Sequence, residues 1–422
     1  MKEEKRYWYP ELETMPLNKL RKYQEERLKE VVAHAYEKSA FYRRKYDEAG
    51  VKPGDIETID DIKRLPLILD AEYRSAPISE RITHPLSETK VVCSSAGTTG
   101  MPDILPRDER SWEECKKEVK RYCWGRGVRP GDVVQILHGF ECIRWGYEQI
   151  GATTLLIHAG RGILDNQIGL AKAMNVTVIE HVPTLAIQYL ERAKELGVDT
   201  RGLKVVCTGE GFSEAYKKKL EAKYGISFLY EIWGATELRT AAIECDERNG
   251  FHILEDHIIE VIDPETQQVL GVGQDGELVA TSLVIDSTPM IRWRSGDVGS
   301  LLPYVPCPCG RTLPKISSPI RGRIAFSVKV KGKRIFPIDV EQVIASVPGL
   351  GFEYQIIADK PRELEKLRVK AEVETEVKDV ATLKKETEAA LSRELGVESE
   401  VKLVPVGSIG HTLFKAQKIV AA

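Results

Sequence analysis

Between Val91 and Pro106 the chain reads VVCSSAGTTGMPDILP, an apolar run that leads into Ser94, Ser95, Gly97, Thr98, Thr99 and Gly100 within seven positions. Small residues let a backbone approach an anion closely, N–H groups and hydroxyls donate to phosphate oxygens, and a hydroxyl can reach a magnesium ion. The stretch therefore has the makings of a phosphate cradle. No lysine follows its last glycine, so it is not the GxxxxGKS/T loop, and an ordinary flexible turn is the competing reading. A second constellation is Cys245, His252, Cys307 and Cys309, in IECDERNGFHILEDH and PYVPCPCGRT. Three thiolates and one imidazole satisfy a closed tetrahedral zinc site, although C-x-C is tighter than the usual C-x2-C. Reduced thiols at a β-turn are the alternative. Cys93, Cys115, Cys123, Cys142 and Cys207 stand singly in apolar or helical contexts, as buried inert thiols do.

These residues need a scaffold, and 422 residues exceed what one core supports, roughly 250 to 300. With 61 basic against 64 acidic residues the net charge is only -3. Neither nucleic acid nor an anionic membrane is implied as partner, and a small molecule fits better. The start, MKEEKRYWYPELE, has no apolar h-region and no stretch of about 18 apolar residues occurs, so a cytoplasmic protein without a membrane span is expected. Residues 18–46 carry Leu20, Tyr23, Leu28, Val31, Val32 and Ala35 at helical spacing. Beyond them VVQILHGF, TTLLIHAG, VTVIEHV, LKVVCTG and SFLYEIWG read as strands. They alternate with the helical stretches IGLAKAM, TLAIQYLERAKELG and SEAYKKKLEAKYG, which predicts an α/β core. After Gly250 the texture turns β-rich. From Gly322 a hairpin, two helices and further strands, with VKLVPV the last, predict a small α+β domain, giving boundaries at 1–321 and 322–422.

SSAGTTGMP is similar to the phosphate-loop signature of the adenylate-forming enzymes, and companion motifs follow in that family's order. TGEG at 208–211 and EIWGATEL at 231–238 resemble the adenine-binding strand ends, and IRWRSGDVG at 291–299 the ribose-binding segment. GRIAFSVKVKGKRIFPIDVE at 322–341 resembles the hinge into a mobile C-terminal domain, and FKAQK the segment with the catalytic lysine. YWYPELETMP, SAFYRRKYDEAGV and DIETIDDIKRLPLI are similar to the N-terminal region of the phenylacetate-CoA ligase branch.

The resemblance implies ATP-dependent conversion of a small or aromatic carboxylic acid to its acyl-adenylate, then thioester formation with CoA. It implies that Glu237, with Thr98 or Thr99, coordinates magnesium, and that Ser95, Gly97 and Gly100 cradle phosphate. Gly209, Glu210, Gly211, Glu231, Ile232, Trp233, Gly234 and Thr236 would surround the nucleotide. Asp297 would accept from the ribose hydroxyls, with Arg323 in the hinge nearby. Lys415 would neutralise charge between carboxylate and α-phosphate, with Lys418 its rival. Gly234 and Ala235, with His138, Gly139, Phe140 and Trp145, are implied for the acyl pocket. There HGFECIRWGYEQIGA replaces a glycine-rich stretch, and Arg144 and Tyr147 add to the bulk. Some relatives carry a similar Cys/His set, and homodimerisation rests on the resemblance alone.

The chain departs from the pattern in three further places. The hinge reads GRIAF rather than GRxDD, so Ala325 and Phe326 replace both carboxylates; Met101 replaces a lysine, and Trp233 a tyrosine. Transfer to a carrier protein or an amine therefore stays open beside CoA. So do a nucleotidyltransferase and a non-catalytic nucleotide-binding relative.

Overall fold

The computed structural model describes residues 5–95, 102–137, 141–156, 163–410 and 417–421. Its contacts cluster into two units, one of Met1–Gly131, Phe140–Ala152 and Tyr230–Ser318, the other of Asp132–Gly139, Thr153–Leu229 and Pro319–Ala422. Among the described residues no helix is long and apolar enough to cross a membrane. As expected, the architecture is mixed α/β with a β-rich part and a small α+β portion at the C-terminus.

In the first unit the N-terminal periodicity becomes two helices, Leu17–Lys38 and Ala40–Glu48. They bury Leu20, Leu28, Val31, Val32 and Ala35 from one, and Phe41, Tyr42 and Tyr46 from the other. Ser39 breaks them: its backbone is extended, and its hydroxyl accepts from the Tyr42 N–H at 3.4 Å as an N-cap. Helix Glu109–Gly125 packs on helix Glu141–Gln149, and Gly146 permits the approach. A Cβ there would lie 2.2 Å from Val119 Cγ1 and 2.7 Å from Cys123 Sγ. Beside the antiparallel pair of Val91–Ser94 with Ile104–Arg107, two larger antiparallel arrays complete the unit. One orders Lys315–Ile316, Phe251–Ile253, Arg239–Ile243 and Ile232–Ala235; the other pairs His257–Ile262, Gly276–Ser282 and Trp293–Gly299.

In the second unit a parallel five-stranded sheet runs in the order Thr153–Leu156, Val133–Ile136, Val178–His181, Lys204–Cys207, Ser227–Phe228. Helices Ile163–Ala173, Pro183–Glu195 and Glu214–Tyr224 accompany it. SFLYEIWG is thus two strands rather than one. Ser227–Phe228 ends the parallel sheet, and Ile232–Ala235 starts the antiparallel array of the other unit.

The C-terminal sheet orders Ser399–Pro405, Leu367–Val373, Leu350–Ile357 and Ile419–Val420, over helices Pro337–Ser346 and Val380–Leu395. Ile419–Val420, not VKLVPV, is the last strand. This portion is joined to helix Glu214–Tyr224 by an aromatic cluster of Phe212, Tyr216, Tyr224 and Phe352. Ser213, the helix N-cap, donates its N–H to Glu341 Oε1 at 2.8 Å. Burial pushes the Glu341 carboxyl up to about 7, against the opposing Ser213 N–H. A folded-state value above the ordinary 4.5 means stability that is complete at low pH and is lost as pH rises through about 7. Glu341→Gln keeps the acceptor without the charge. Relative to wild type it should gain about 3 kcal/mol between pH 4.5 and pH 8, read from denaturant melts at both; parallel pH profiles would disprove it.

Candidate active site

The expected site residues divide between the two units, and each set has its own local cause. In the first unit, Ile232–Ala235 and Arg239–Ile243 form a hairpin closed by the pair Ala235 and Arg239, so Thr236, Glu237 and Leu238 are its turn. The register shifts between Trp233 and Gly234. Gly234 is required there, since a Cβ would lie 2.0 Å from the Arg239 carbonyl oxygen. Arg239 takes a left-handed φ of 63°, a strain on the order of 1–2 kcal/mol for a residue with a side chain. Its guanidinium is held by Asp286 and, at 3.6 Å, by Glu118, which fixes the turn.

Glu237 is only 6% exposed. Burial pushes its carboxyl above the ordinary value; its own N–H and Arg74 oppose this, while Asp70 and Asp103 add to it. Arg74 Nη2 stands 3.4 Å from Glu237 Oε1 and is steadied through Nε by Asp70 at 2.9 Å. A buried hard-oxygen donor already facing a cation suits magnesium in its chemistry. Ser95 pinches the base of the expected phosphate loop. Its N–H donates to the Asp103 carbonyl at 3.0 Å, and the Asp103 N–H donates to Ser95 Oγ at 2.8 Å. Asp103 in turn pairs with buried Arg81 at 2.8 Å. Gly97, Thr98, Thr99, Gly100 and Met101 lie outside the described residues.

Asp297 and Trp233, expected to face ribose and adenine, are brought together: the indole N–H donates to Asp297 Oδ2 at 3.1 Å. Glu231, buried at the start of the hairpin, donates its N–H to Glu244 Oε2 at 3.1 Å. Ile232 pairs with Ile243. Of the acyl-pocket set, His138, Gly139 and Phe140 lie outside the described residues. Trp145 lies beneath Lys116 and Lys120 of helix Glu109–Gly125, at 6.0 and 5.5 Å. Tyr147 is fully buried, and Arg144 pairs with Glu148 along its helix at 3.0 Å.

In the second unit TGEG follows strand Lys204–Cys207. Gly209 turns the chain at φ 83°, and Glu210 Oε2 accepts from the Thr184 N–H and hydroxyl at 3.0 and 2.9 Å, capping helix Pro183–Glu195. At Gly211 a Cβ would lie 3.3 Å from the Ile320 carbonyl oxygen. Arg323 is half-buried and precedes a short 3-10 turn, Ile324–Phe326, where the family hinge falls. Lys415 lies outside the described residues. Its rival Lys418 is spent on Glu353 Oε2 at 2.9 Å, over the Tyr354 ring.

Cys245, His252, Cys307 and Cys309 do meet, all buried, their ligand atoms within 4.8 Å of one another. Zinc–sulfur bonds of about 2.3 Å at tetrahedral angles put sulfurs roughly 3.8 Å apart, and sulfur and imidazole nitrogen roughly 3.6 Å apart. Cys245 and Cys307 sulfurs are 3.8 Å apart, and Cys309 Sγ is 3.4 Å from His252 Nε2. His252 Nδ1 donates to the Leu313 carbonyl at 3.1 Å, which leaves Nε2 as the bare donor a metal needs. The Arg311 N–H points at Cys309 Sγ at 3.4 Å, a contact that favours the thiolate, which is the ligand form.

Arg74, Arg107, Asp286 and Glu244 carry no motif, and only the fold reveals their place around the hairpin. Comparison with known proteins completes the picture. The family model described as AMP-binding enzyme matches residues 13–283, and that of the AMP-binding enzyme C-terminal domain matches 332–422. A phenylacetate-coenzyme A ligase of Thermus thermophilus is 32% identical over 87% of this chain and 84% of its own length. One of Escherichia coli is 28% identical over 97% and 96%. Among solved structures, 2-hydroxyisobutyryl-CoA ligase in its postadenylation state with 2-HIB-AMP aligns at a TM-score of 0.91 and 26% identity, covering 100% of this chain and 94% of that one. The same enzyme in its thioesterification state with CoA aligns at 0.72 and 27% identity, covering 100% and 93%. The chain belongs to the AMP-binding enzyme family, in its phenylacetate-CoA ligase-like branch.

Proposed function

We propose that this protein is an AMP-forming acid–CoA ligase. The observation that carries the reading is the full-length likeness, at a TM-score of 0.91, to a CoA ligase holding its acyl-adenylate. A carboxylate oxygen attacks the α-phosphorus of ATP and pyrophosphate leaves; the CoA thiolate then attacks the acyl carbonyl and AMP leaves. Asp297, oriented by the Trp233 indole N–H, supplies an acceptor for ribose hydroxyls. Glu237, with Thr98, is the set that would hold magnesium, which when bound neutralises phosphate charge. Lys415 would offset charge building at the α-phosphate, a role its motif supports, while its rival Lys418 is paired with Glu353. Residues 322–422 act as the mobile domain. With Ala325 and Phe326 in place of two carboxylates, rotation there relies on backbone freedom.

The four-ligand Cys/His site holds a structural zinc with no open position, and its thiols, none in a disulfide, suit a reducing cytoplasm. The acid is small or aromatic, as 2-hydroxyisobutyrate and phenylacetate are for the relatives named after them. The test is acid-dependent exchange of labelled pyrophosphate into ATP across aryl, aryl-acetic, hydroxy and short aliphatic acids. One class should support exchange, and adding CoA should then release AMP. Exchange without CoA-dependent AMP release would move the acceptor to another nucleophile. No exchange with any acid, in protein that binds magnesium and ATP, would overturn the reading.

A further inference from the structure

The turn that carries Glu237 is gripped on both sides by buried side chains. The carbonyl before it, Thr236 O, accepts from Arg107 Nη2 at 3.1 Å. The carbonyl after it, Leu238 O, lies 3.0 Å from His257 Nε2. Arg107 is 2% exposed and His257 1%, and each is backed by a carboxylate: Asp286 at 2.6 Å from Arg107 Nη1, and Asp256 at 2.8 Å from His257 Nδ1. Both partners of the imidazole, a carbonyl and a carboxylate, only accept, so the geometry asks for a proton on each ring nitrogen. A His–Asp pair often signals a general base, but this one is sealed from solvent with both nitrogens engaged.

We propose that the Asp256–His257 and Asp286–Arg107 pairs are a clamp that positions Glu237, fixing the two peptide carbonyls that flank it so that its carboxylate is preorganised for the metal–nucleotide complex. They are positioning residues and touch no substrate. The inference rests on Glu237 being a metal ligand, and groups that orient a metal ligand typically cost about 10- to 100-fold in metal affinity when removed.

The readout is binding of manganese-ATP by electron paramagnetic resonance, beside calorimetric binding of metal-free ATP. His257→Leu should weaken manganese-ATP about tenfold and leave metal-free ATP unchanged. His257→Gln, whose amide N–H can still reach the Leu238 carbonyl, should recover most of the loss. Should His257→Leu not fold, Asp256→Asn carries the same test with a loss of up to about tenfold. Wild-type manganese-ATP affinity in the folded His257 or Asp256 variant, while Glu237→Gln loses it, overturns the clamp and leaves Glu237 as ligand. Wild-type affinity in Glu237→Gln as well overturns the metal-ligand reading itself.

Discussion

Replacing Glu237 with Gln should lower magnesium-dependent pyrophosphate exchange by about 10²- to 10³-fold while leaving the protein at least as stable as wild type at pH 7. The activity loss follows from donor chemistry: an amide oxygen is a far weaker partner for a hard divalent cation than a carboxylate, and the charge it helps balance lies on the reacting phosphates. The stability follows from burial. The folded-state value of Glu237 is raised, so the carboxylate contributes stability at low pH that is lost as pH rises through that value. At pH 7, well above the ordinary carboxyl value, that loss weighs on the fold and Gln removes it, while Arg74 retains Asp70 as a partner. The variant's advantage should shrink at pH 4. A variant that is inactive and also markedly less stable at pH 7 would show that Glu237 holds the turn together instead.

Why was Glu237 legible in the sequence when its supports were not? GATEL is a contiguous motif. Arg107 and His257, by contrast, reach it from positions 129 residues before Thr236 and 19 residues after Leu238, and each sits in an otherwise ordinary strand segment. Long-range hydrogen bonds to backbone carbonyls leave no spacing signature. Arg74 is similar: the one basic residue of a six-residue helix, distinguished by the carboxylate it meets 163 residues later.

The fold divides along the same line. Alternating apolar and helical stretches revealed the parallel sheet, and Lys331 and Gly332 at positive φ make the turn of the hairpin read at FSVKVKGKRIFP. SFLYEIWG misled because nothing in it punctuates the chain. Leu229, Tyr230 and Glu231 turn between sheets with their N–H groups taken by Val205, Arg126 and Glu244, partners that only the folded chain supplies. The last strand, two residues long, was too short for any periodicity; it exists because Ile419 and Val420 pair with Ile356 and Ile357. That pairing also decides the fate of Lys418, one residue earlier, by setting it beside Glu353.

The cysteines show the opposite balance, since residue types announced a metal but only geometry could say whether positions 245, 252, 307 and 309 meet. Because they do, metal analysis should find one zinc per chain, and Cys309→Ser should cost on the order of 4 kcal/mol or more, the range reserved for lost metal sites and similar defects. The damage has a place to spread. Tyr7 donates its hydroxyl to the Cys309 carbonyl at 2.5 Å, Arg311 Nε pairs with Glu13 at 2.9 Å, and the Thr312 hydroxyl donates to the Met15 carbonyl at 2.5 Å. The knuckle therefore fastens the N-terminal segment, and Glu13 also faces Arg121, whose guanidinium is paired twice to Glu255. On chelation, amide exchange should rise first at residues 7–15 and 305–313, before the parallel sheet of the other unit loosens. Pyrophosphate exchange per folded molecule should persist, because four protein ligands leave the metal no position for substrate. Well under one zinc in unchelated protein, with a melting temperature indifferent to chelator, would leave the cluster as three reduced thiols and a histidine held by the fold alone.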